Sequence, residues 1–336
     1  MQIPKPFTAF LSAVFLAASL ASAGQVISWV APYKVDQSKA MLQKDFGGVG
    51  MKDGLTWLAL QFWVTNGPNV VQDGNVAGAG FDDKVKWFRD WGHANGIKVT
   101  LCVTDFVGDW NWPEARRSFL DNRAAFVKSL VAEADRLGLD GVELDLEGNL
   151  EATAADVSGF IAFSAELAAA LHPKGKTVTV ASFAAQWNAP NWKWWPELMK
   201  SVDGVTSMGY EKTGRNSNNG YNYADQKKQA IPPYKLMIGM PGYFGSWEGN
   251  TAAEQLDWAV QDGEVGVGIW DCGLDNGAWQ TAAVWKQLAK IRASKPAAVA
   301  PEITSPSFGN APTTLFHADG SALGKRRHMP VFGKRR

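Results

Sequence analysis

The sequence predicts an α/β fold, a single (β/α)8 (TIM) barrel, from three observations. Between residues 25 and 292, eight short apolar runs alternate with amphipathic stretches. About 270 residues for eight strand–helix units is the usual size of such a barrel. The first run, which ends at Val30, lacks the glycine-rich nucleotide fingerprint that an open doubly wound sheet usually carries. A barrel places functional side chains at the carboxyl ends of its strands, so we expect a site there.

The elements follow from residue periodicity and from turn residues. Short apolar runs rich in Val, Ile and Trp indicate strands. Apolar residues at three- and four-residue steps indicate helices, and Pro113 and Gly138 mark the two ends of the longest helical stretch. The predicted strands are Val26–Val30, Leu55–Trp63, Lys98–Val103, Gly141–Leu146, Thr177–Ser182, Gly204–Met208, Lys235–Met240 and Gly266–Trp270. The predicted helices include Asp82–Ala94, Pro113–Leu137, Ala154–Leu171 and Thr251–Val260.

Composition excludes two classes of protein and indicates a kind of ligand. With 33 Lys plus Arg, 33 Asp plus Glu and 46% hydrophobic residues, the chain is neither disordered nor a strongly basic nucleic-acid binder. It contains 16 Trp but only 6 Tyr. Because a buried Trp must find a partner for its N–H, so many of them indicate a surface that binds something flat and partly apolar.

The N-terminus has the pattern of a secretory signal peptide. Lys5 supplies the positive charge, Phe10–Leu20 the apolar stretch, and Ala21–Ala23 a small-residue cleavage site. The alternative is a membrane anchor, but the apolar run is shorter than the roughly 20 residues of a spanning helix. We therefore expect residues 1–23 to be removed, the mature protein to be secreted, and no later segment to span a membrane.

Export permits disulfide bonds, but the chain contains only 2 cysteines. Cys102 lies in the third predicted strand and Cys272 beyond the eighth. The sequence leaves open whether they pair or remain unlinked, buried thiols.

Residues 294–336 differ in character from the predicted barrel at 24–293. They are rich in Pro, Gly and Ser, and the basic Gly324–Arg327 recurs as Gly333–Arg336. We predict a solvated, disordered tail without a catalytic role. Adhesion to an acidic surface and proteolytic trimming are weaker alternatives.

The fourth predicted strand carries alternating acidic and apolar residues. In Leu139–Gly148, a period of two places Glu143, Asp145 and Glu147 on one face and the intervening Val and Leu residues on the other. The apolar face is expected to pack under the helices. The acidic face then points into the barrel, with Glu147 at the upper rim.

Three carboxylates on one small surface favour a general acid. Like charges and partial burial both raise the pKa of at least one carboxyl group. A carboxyl group that stays protonated near neutral pH is what the cleavage of a glycosidic bond requires. A divalent-metal site is the main alternative from chemistry alone. A solvated acidic strand is a further alternative, which the strict alternation with Val and Leu disfavours.

This run resembles the Asp-Gly-x-Asp-x-Asp-x-Glu signature of glycoside hydrolase family 18, the chitinases and endo-β-N-acetylglucosaminidases. Glu143 stands where the signature has Asp. The matching residues are Asp140, Gly141, Asp145 and Glu147.

Two more stretches resemble motifs of the same family in order and spacing. Ser207–Glu211 is similar to the Met-x-Tyr-Asp motif that ends the sixth strand, with Glu211 in place of Asp. Gly266–Trp270, with Asp275 beyond it, is similar to the last-strand motif whose Trp forms the floor of the sugar site. The resemblance extends over the whole predicted barrel.

The resemblance implies retention of configuration without an enzyme nucleophile, an exception among glycosidases. Glu147 would protonate the leaving oxygen, and the substrate's own 2-acetamido carbonyl would attack the anomeric carbon. Asp145 would bind the acetamide N–H, Tyr210 its oxygen, and Trp270 the apolar face of the sugar. An intramolecular nucleophile of this kind gains a high effective molarity.

Two departures from the family pattern lead to hypotheses about individual residues. Glu143 is one methylene longer than Asp, so we hypothesise that it tunes the pKa of Asp145 and belongs to the catalytic set. Glu211 is expected to contact the acetamide or the neighbouring sugar. Further expected substrate contacts are Met208, Gln186, Asn188, Trp187, Tyr243, Trp63 and Trp110.

Between the seventh and eighth predicted strands, only residues 241–265 are available. The α+β insertion domain that some chitinases carry there has no room. We therefore predict a barrel without that domain, a shallow, open groove, and endo-acting, weakly processive cleavage.

The expected partner is a polysaccharide or glycan that contains N-acetylglucosamine, and the chain is expected to be a monomer without metal or cofactor. Two alternatives within the family are a non-catalytic chitinase-like lectin and an endo-β-N-acetylglucosaminidase that acts on the chitobiose core of N-glycans. The lectin is disfavoured because both Asp145 and Glu147 are present. A metal-dependent barrel enzyme is disfavoured because the chain has only 4 His.

Overall fold

The computed structural model describes residues 24–147, 153–182, 193–208, 223–241, 252–273 and 280–294. The predicted signal peptide at 1–23 and the predicted tail beyond residue 294 lie outside the described residues, so both stay predictions.

Eight parallel strands close into a barrel, which confirms the predicted (β/α)8 fold. The strands are β1 (Val26–Val30), β2 (Trp57–Asn66), β3 (Asn69–Gln72), β4 (Lys98–Thr104), β5 (Gly141–Asp145), β6 (Thr177–Ser182), β7 (Gly204–Ser207), β8 (Leu236–Pro241) and β9 (Gly266–Trp270). Closure is made by β1, where Ile27 pairs with Trp57 on one side and Gly268 on the other. The additional strand, β3, runs antiparallel to the end of β2 and is not part of the ring.

Along the regular stretches of the barrel strands, side chains alternate between an outer face, which packs under the helices, and an inner face, as a period of two requires. On β5, Val142 and Leu144 belong to the large cluster that lies between the barrel and the helices, and Leu146 packs against it. The smaller cluster fills the barrel interior with Ile27, Trp29, Trp57, Ala59, Cys102, Ala181 and Met237.

The helices surround the barrel between successive strands. They are α1 (Val35–Leu42), α2 (Met51–Gly54), α3 (Phe81–Ala94), α4 (Trp112–Arg116), α5 (Arg123–Arg136), α6 (Ala154–Leu171), α7 (Trp195–Leu198), α8 (Tyr223–Gln229), α9 (Ala252–Asp262) and α10 (Ala282–Ala293). Predicted Pro113–Leu137 is not one helix, because a π-helical turn at Arg117–Asp121 separates α4 from α5. The apolar pattern does not reveal this turn, because the buried residues Ala115, Phe119 and Phe126 still lie at steps of four and seven residues.

Helix α6 corrects the prediction that no later segment could span a membrane. Together with the following 3₁₀ turn it extends over Ala154–Lys174, 21 residues with a mean hydropathy of 1.4, which suffices by length and composition alone. Its apolar character has a local explanation, because Phe163, Leu167 and Leu171 are fully buried in the cluster beneath the helices.

The Asp-Gly pair at the start of β5 holds neighbouring strands together, away from the strand ends that form the site. Asp140 Oδ2 accepts a hydrogen bond from Val99 N on β4 (2.7 Å) and lies 2.8 Å from His93 Nε2. A Cβ on Gly141 would lie 2.1 Å from the carbonyl oxygen of Thr177 on β6, so only glycine fits this close approach.

The two cysteines are unlinked. Cys102 lies in the barrel interior and Cys272 in the cluster beneath the helices, both fully buried as free thiols. Of the two alternatives that the sequence left open, buried thiols are the one observed.

Candidate active site

Three carboxyl groups ascend the inner face of β5 from the middle of the barrel to its rim. Glu143 is paired in register with Cys102 on β4 and Thr179 on β6, and Asp145 is paired with Thr104. Glu143 is 0% and Asp145 3% exposed, whereas Glu147, two residues beyond the strand, is partly exposed. The alternation in the sequence therefore predicted the orientation of this face correctly.

Glu143 is the deepest of the three and is hydrogen-bonded across the barrel. Its Oε2 accepts a hydrogen bond from the hydroxyl of Thr179. Burial, followed by the negative charge of Asp145, raises the pKa of Glu143 well above the usual range of a glutamate. Burial and the charge of Asp145 therefore favour the neutral form of Glu143.

Asp145 is bound by Gln61, a residue of β2 that the sequence analysis did not identify. Gln61 Nε2 donates a hydrogen bond of 2.6 Å to Asp145 Oδ2. Burial raises the pKa of Asp145 to about 6, while the hydrogen bonds from Glu147 and Gln61 act in the opposite direction. A polar residue amid the apolar residues of β2 was the available signal, because a buried amide requires a partner.

Replacing Gln61 by Met, which is of similar size but has no N–H donor, is expected to raise the pKa of Asp145. In the mechanism that the family resemblance implies, Asp145 is charged, so the acidic limb of the pH–kcat/KM profile should move to higher pH. The maximum should fall about 10-fold, as expected for the loss of a hydrogen bond to a charged group (about 1.5 kcal/mol). A profile with the wild-type acidic limb would show that Gln61 does not support the Asp145 charge.

Glu147 is held at the rim by Asp105, a second residue that the sequence analysis missed. Asp105 follows β4 directly, and its Oδ1 accepts a hydrogen bond of 2.9 Å from the backbone N–H of Glu147. Burial, the charge of Asp145, the hydrogen bond between these two carboxyl groups and the charge of Asp105 all raise the pKa of Glu147 well above the usual range. The signal in the sequence was an acidic residue at the end of a neighbouring predicted strand.

Asp145 and Glu147 differ in pKa, and this difference suits one to stabilise charge and the other to act as an acid. Asp145, with a pKa of about 6, ionises before Glu147, which keeps its proton to higher pH. Near neutral pH these shifts favour a carboxylate at Asp145 and, nearer the rim of the barrel, a carboxylic acid at Glu147. Among the residues that the structure describes, no three His, Cys, Asp or Glu are grouped so as to hold a metal ion.

Trp270 ends β9 above the apolar interior. Its ring lies 6.2 Å from that of Trp29, centroid to centroid, and it packs with Met208 against the interior cluster. Both Trp270 and Met208 are partly exposed, so their outer surfaces are available to a ligand at the mouth of the barrel.

Trp63 does not lie in the groove, contrary to the prediction. A β-bulge in β2 places Leu60 opposite Leu101 but Trp63 opposite Val103, so β2 has one residue more than β4 between these pairs. The extra residue turns Trp63 to the outer face, where it is 1% exposed and its Nε1 donates to Glu133 Oε1 (3.1 Å).

Trp63→Ala should therefore affect stability rather than substrate binding. Loss of a fully buried indole is expected to lower the free energy of unfolding by about 3–5 kcal/mol. The KM for substrate should remain within about 2-fold of wild type below the unfolding transition, since a buried ring makes no substrate contact. Urea unfolding and steady-state kinetics measure the two effects, and a large rise in KM without loss of stability would restore Trp63 to the groove.

Trp110 stands on a short hairpin beside the acidic strand. Phe106 and Trp110 form an antiparallel bridge, and their rings meet edge to face at 5.3 Å. Trp110 is partly exposed, a position that is compatible with the predicted contact to substrate.

The other predicted site residues lie outside the described residues, and their roles stay predictions. They are Tyr210, Glu211, Gln186, Trp187, Asn188 and Tyr243.

Comparison with known proteins agrees with this geometry. The model of Glycosyl hydrolases family 18 matches residues 26–304. Chitinase 1 of Aphanocladium album is 27% identical over 202 residues, which cover 52% of this chain and 47% of that protein. The chain thus spans about half the length of this curated relative.

Solved structures share the fold at low sequence identity. A chitinase from Chromobacterium violaceum superposes with a TM-score of 0.62 at 17% identity, covering 80% of this chain and 99% of that one. The spore cortex-lytic enzyme SleL of Bacillus cereus gives 0.57 at 13% identity, covering 80% and 75%. The structures support the barrel, and the family match supports the resemblance seen in three strand-end motifs: the chain belongs to glycosyl hydrolases family 18.

Proposed function

We propose that this chain is a secreted, retaining glycoside hydrolase that cleaves β-1,4 linkages in N-acetylglucosamine polymers such as chitin. Glu147 acts as general acid/base, and the substrate's acetamido group acts as nucleophile. The observation that carries the proposal is the arrangement of Asp145, buried and hydrogen-bonded by Gln61, beside Glu147 at the rim, whose pKa is raised by burial and by the charge of Asp145.

Glu147 is suited to protonate the glycosidic oxygen. It is the most exposed of the three acidic residues of β5, and its pKa is raised by its surroundings. Once it has given up its proton to the leaving group, the same carboxylate can activate a water molecule for the second step.

Asp145 is better placed to stabilise charge than to attack the anomeric carbon. It is 3% exposed, and one of its oxygens is already bound by Gln61. The hydrogen bond from Gln61 favours the negative charge of Asp145 against the effect of burial, and this charge can balance a positively charged intermediate formed from the substrate's acetamide. In the family pattern, Tyr210 would hold the acetamide oxygen and Trp270 would stack under the sugar.

The test is a cleavage assay on N-acetylglucosamine oligomers and on a high-mannose glycopeptide, with Glu147→Gln as the inactive control. Cleavage of the oligomers alone supports the proposed function. Cleavage of the glycopeptide alone would replace it with a deglycosylating endo-β-N-acetylglucosaminidase, and binding of oligomers without cleavage would indicate a lectin.

An open groove predicts the products formed from a polymer. The connection between β8 and β9 consists of residues 242–265, of which α9 occupies Ala252–Asp262, too short for an added domain. We expect early products from soluble chitin to be a mixture of oligomer lengths, as measured by chromatography. A series dominated by one dimer released from chain ends would contradict endo-acting cleavage.

Secretion is proposed from the signal pattern at residues 1–23. N-terminal sequencing of protein recovered outside expressing bacterial cells should begin at Gly24 or Gln25. Retention of Met1 in membrane-bound protein would instead support an anchor. Light scattering on the exported protein checks the expected monomer.

A further inference from the structure

We propose that Asp105 is a positioning residue for Glu147, which fixes the backbone of the acid and, through its buried carboxylate, helps to keep the acid protonated. The proposal rests on the proposed function, because it assigns a role within the same site. Asp105 belongs to none of the three motifs that indicated the family.

The hydrogen bond from Glu147 to Asp105 continues the sheet beyond its last backbone pairing. The pairing between β4 and β5 ends at Thr104 and Asp145. Glu147 lies two residues further, where no strand partner receives its N–H, and Asp105 Oδ1 accepts that group at 2.9 Å. A charged acceptor makes this bond stronger than a neutral one would. The side chain of Asp105 thus sets where the acid leaves the strand.

Asp105 is itself held rigidly. It is 0% exposed, and its carbonyl oxygen accepts a hydrogen bond from Asn111 N (3.1 Å), which closes the hairpin of residues 106–110 upon it. Within that hairpin, Val107 N donates to the carbonyl of Asp109 (3.0 Å). Because the loop is closed at its base, the Oδ1 atom has a defined position from which to orient Glu147.

Asp105 belongs to a set of four carboxyl groups that interact through their charges. Within the described part of the chain, Asp105 Oδ2 is buried and without a hydrogen-bond partner. Asp105 interacts with Asp145 and Glu147, and Asp145 in turn interacts with Glu143. No ion pair joins any of the four carboxyl groups to a Lys, Arg or His among the described residues. Such a group cannot ionise completely, so each negative charge favours the neutral form of the others.

The negative charge of Asp105 determines the direction in which it shifts the pKa of Glu147. Burial, opposed by hydrogen bonds and reinforced by Asp145, raises the pKa of Asp105 to about 7. Above that pH, ionised Asp105 raises the pKa of Glu147 and keeps the acid protonated. Removal of the charge should therefore lower the pKa of Glu147 and move the basic limb of the pH–rate profile to lower pH.

Two substitutions separate the orienting role from the electrostatic one. Asp105→Asn keeps an oxygen that accepts the Glu147 N–H but removes the negative charge. Asp105→Ala removes both. Asp109→Asn, on the same hairpin, is the matched control, because Asp109 is exposed and its Oδ1 accepts a hydrogen bond from Trp110 N as an Asn oxygen also can.

The experiment measures kcat and KM across pH on an N-acetylglucosamine oligomer, together with urea unfolding. Asp105→Asn should retain the wild-type kcat on the acidic limb of the pH profile. On the basic limb, its activity should fall at a lower pH than that of the wild-type enzyme. Asp105→Ala should lose about 10-fold or more in kcat at every pH with little change in KM, because Glu147 loses the hydrogen bond that positions its backbone. The control should match wild type.

A second readout keeps this inference separate from the proposed function. In protein labelled at the glutamate carboxyl carbons with ¹³C, the Glu147 resonance is assigned from its absence in Glu147→Gln. Its titration midpoint should be lower in Asp105→Asn than in wild type, even if no substrate is cleaved. An unchanged midpoint would overturn the proposal. If the enzyme is active, a basic limb that lies at the same pH in Asp105→Asn as in wild type would also overturn it.

Discussion

Glu147→Gln is expected to lower kcat on N-acetylglucosamine oligomers by about 10²–10⁴-fold, the contribution of a positioned general acid. The amide is close in size to the carboxyl group, and the backbone N–H that Asp105 binds is unchanged. The loss therefore arises from the missing proton donor. KM should change little, because the proposed sugar contact of Trp270 is left unchanged.

The control for this substitution is Glu166→Gln on α6, where an exposed glutamate pairs with Arg123 at 2.9 Å. It removes one carboxylate from the surface of the protein and should leave kcat and KM unchanged. Calorimetry on Glu147→Gln should still detect oligomer binding. Turnover near the wild-type rate in Glu147→Gln would show that Glu147 is not the general acid.

The same assignment predicts a bell-shaped dependence of kcat/KM on pH. The acidic limb should lie near pH 6, since the reaction needs ionised Asp145, whose pKa is about 6. The basic limb reports the loss of the Glu147 proton, whose pKa is raised. Because the two groups interact, these limbs describe the pair as a whole.

The interior face of β5 could be predicted because one local rule determines it. Alternation along a strand separates Glu143 and Asp145 from Val142 and Leu144, and the apolar residues can only face the helices. The closed ring of eight strands followed in the same way, from repeated local patterns of ordinary length.

Trp63 was misplaced because alternation cannot detect an inserted residue. The bulge in β2 shifts the register relative to β4 and turns Trp63 to the outer face, where Phe62 already lies. A bulge has no fixed residue requirement when its residues keep ordinary backbone angles, so an unbroken apolar run conceals it.

Gln61 and Asp105 were missed for a different reason, because their importance depends on contacts between distant parts of the chain. Gln61 meets Asp145 across 84 residues of sequence, and Asp105 meets Glu147 across 42. Each comes from a strand that flanks or faces β5 only after the barrel has closed. Sequence motifs identify the acid and its neighbour, while the residues that hold them emerge from the three-dimensional arrangement.

Removal of the acetyl groups from the substrate should produce the other large effect. Under the proposed mechanism the acetamide carbonyl attacks the anomeric carbon from within the same sugar. A tethered nucleophile of this kind reaches effective molarities of about 10⁵ M or more. In a fully deacetylated oligomer of the same length, only bulk water remains to attack, and kcat/KM should fall by about 10³-fold or more.

The structure supplies the reason that the protein cannot replace this missing nucleophile. Asp145 is buried, and Gln61 already binds its Oδ2, while Glu143 lies deeper still and is bound by Thr179. The anomer formed first from the acetylated oligomer, observed by proton NMR, checks the same mechanism, because two displacements at one carbon retain the β configuration. Initial release of the α-anomer would show that water attacks directly, with a carboxylate such as Asp145 as base. Equal cleavage of the deacetylated oligomer would show that the acetamide is not the nucleophile.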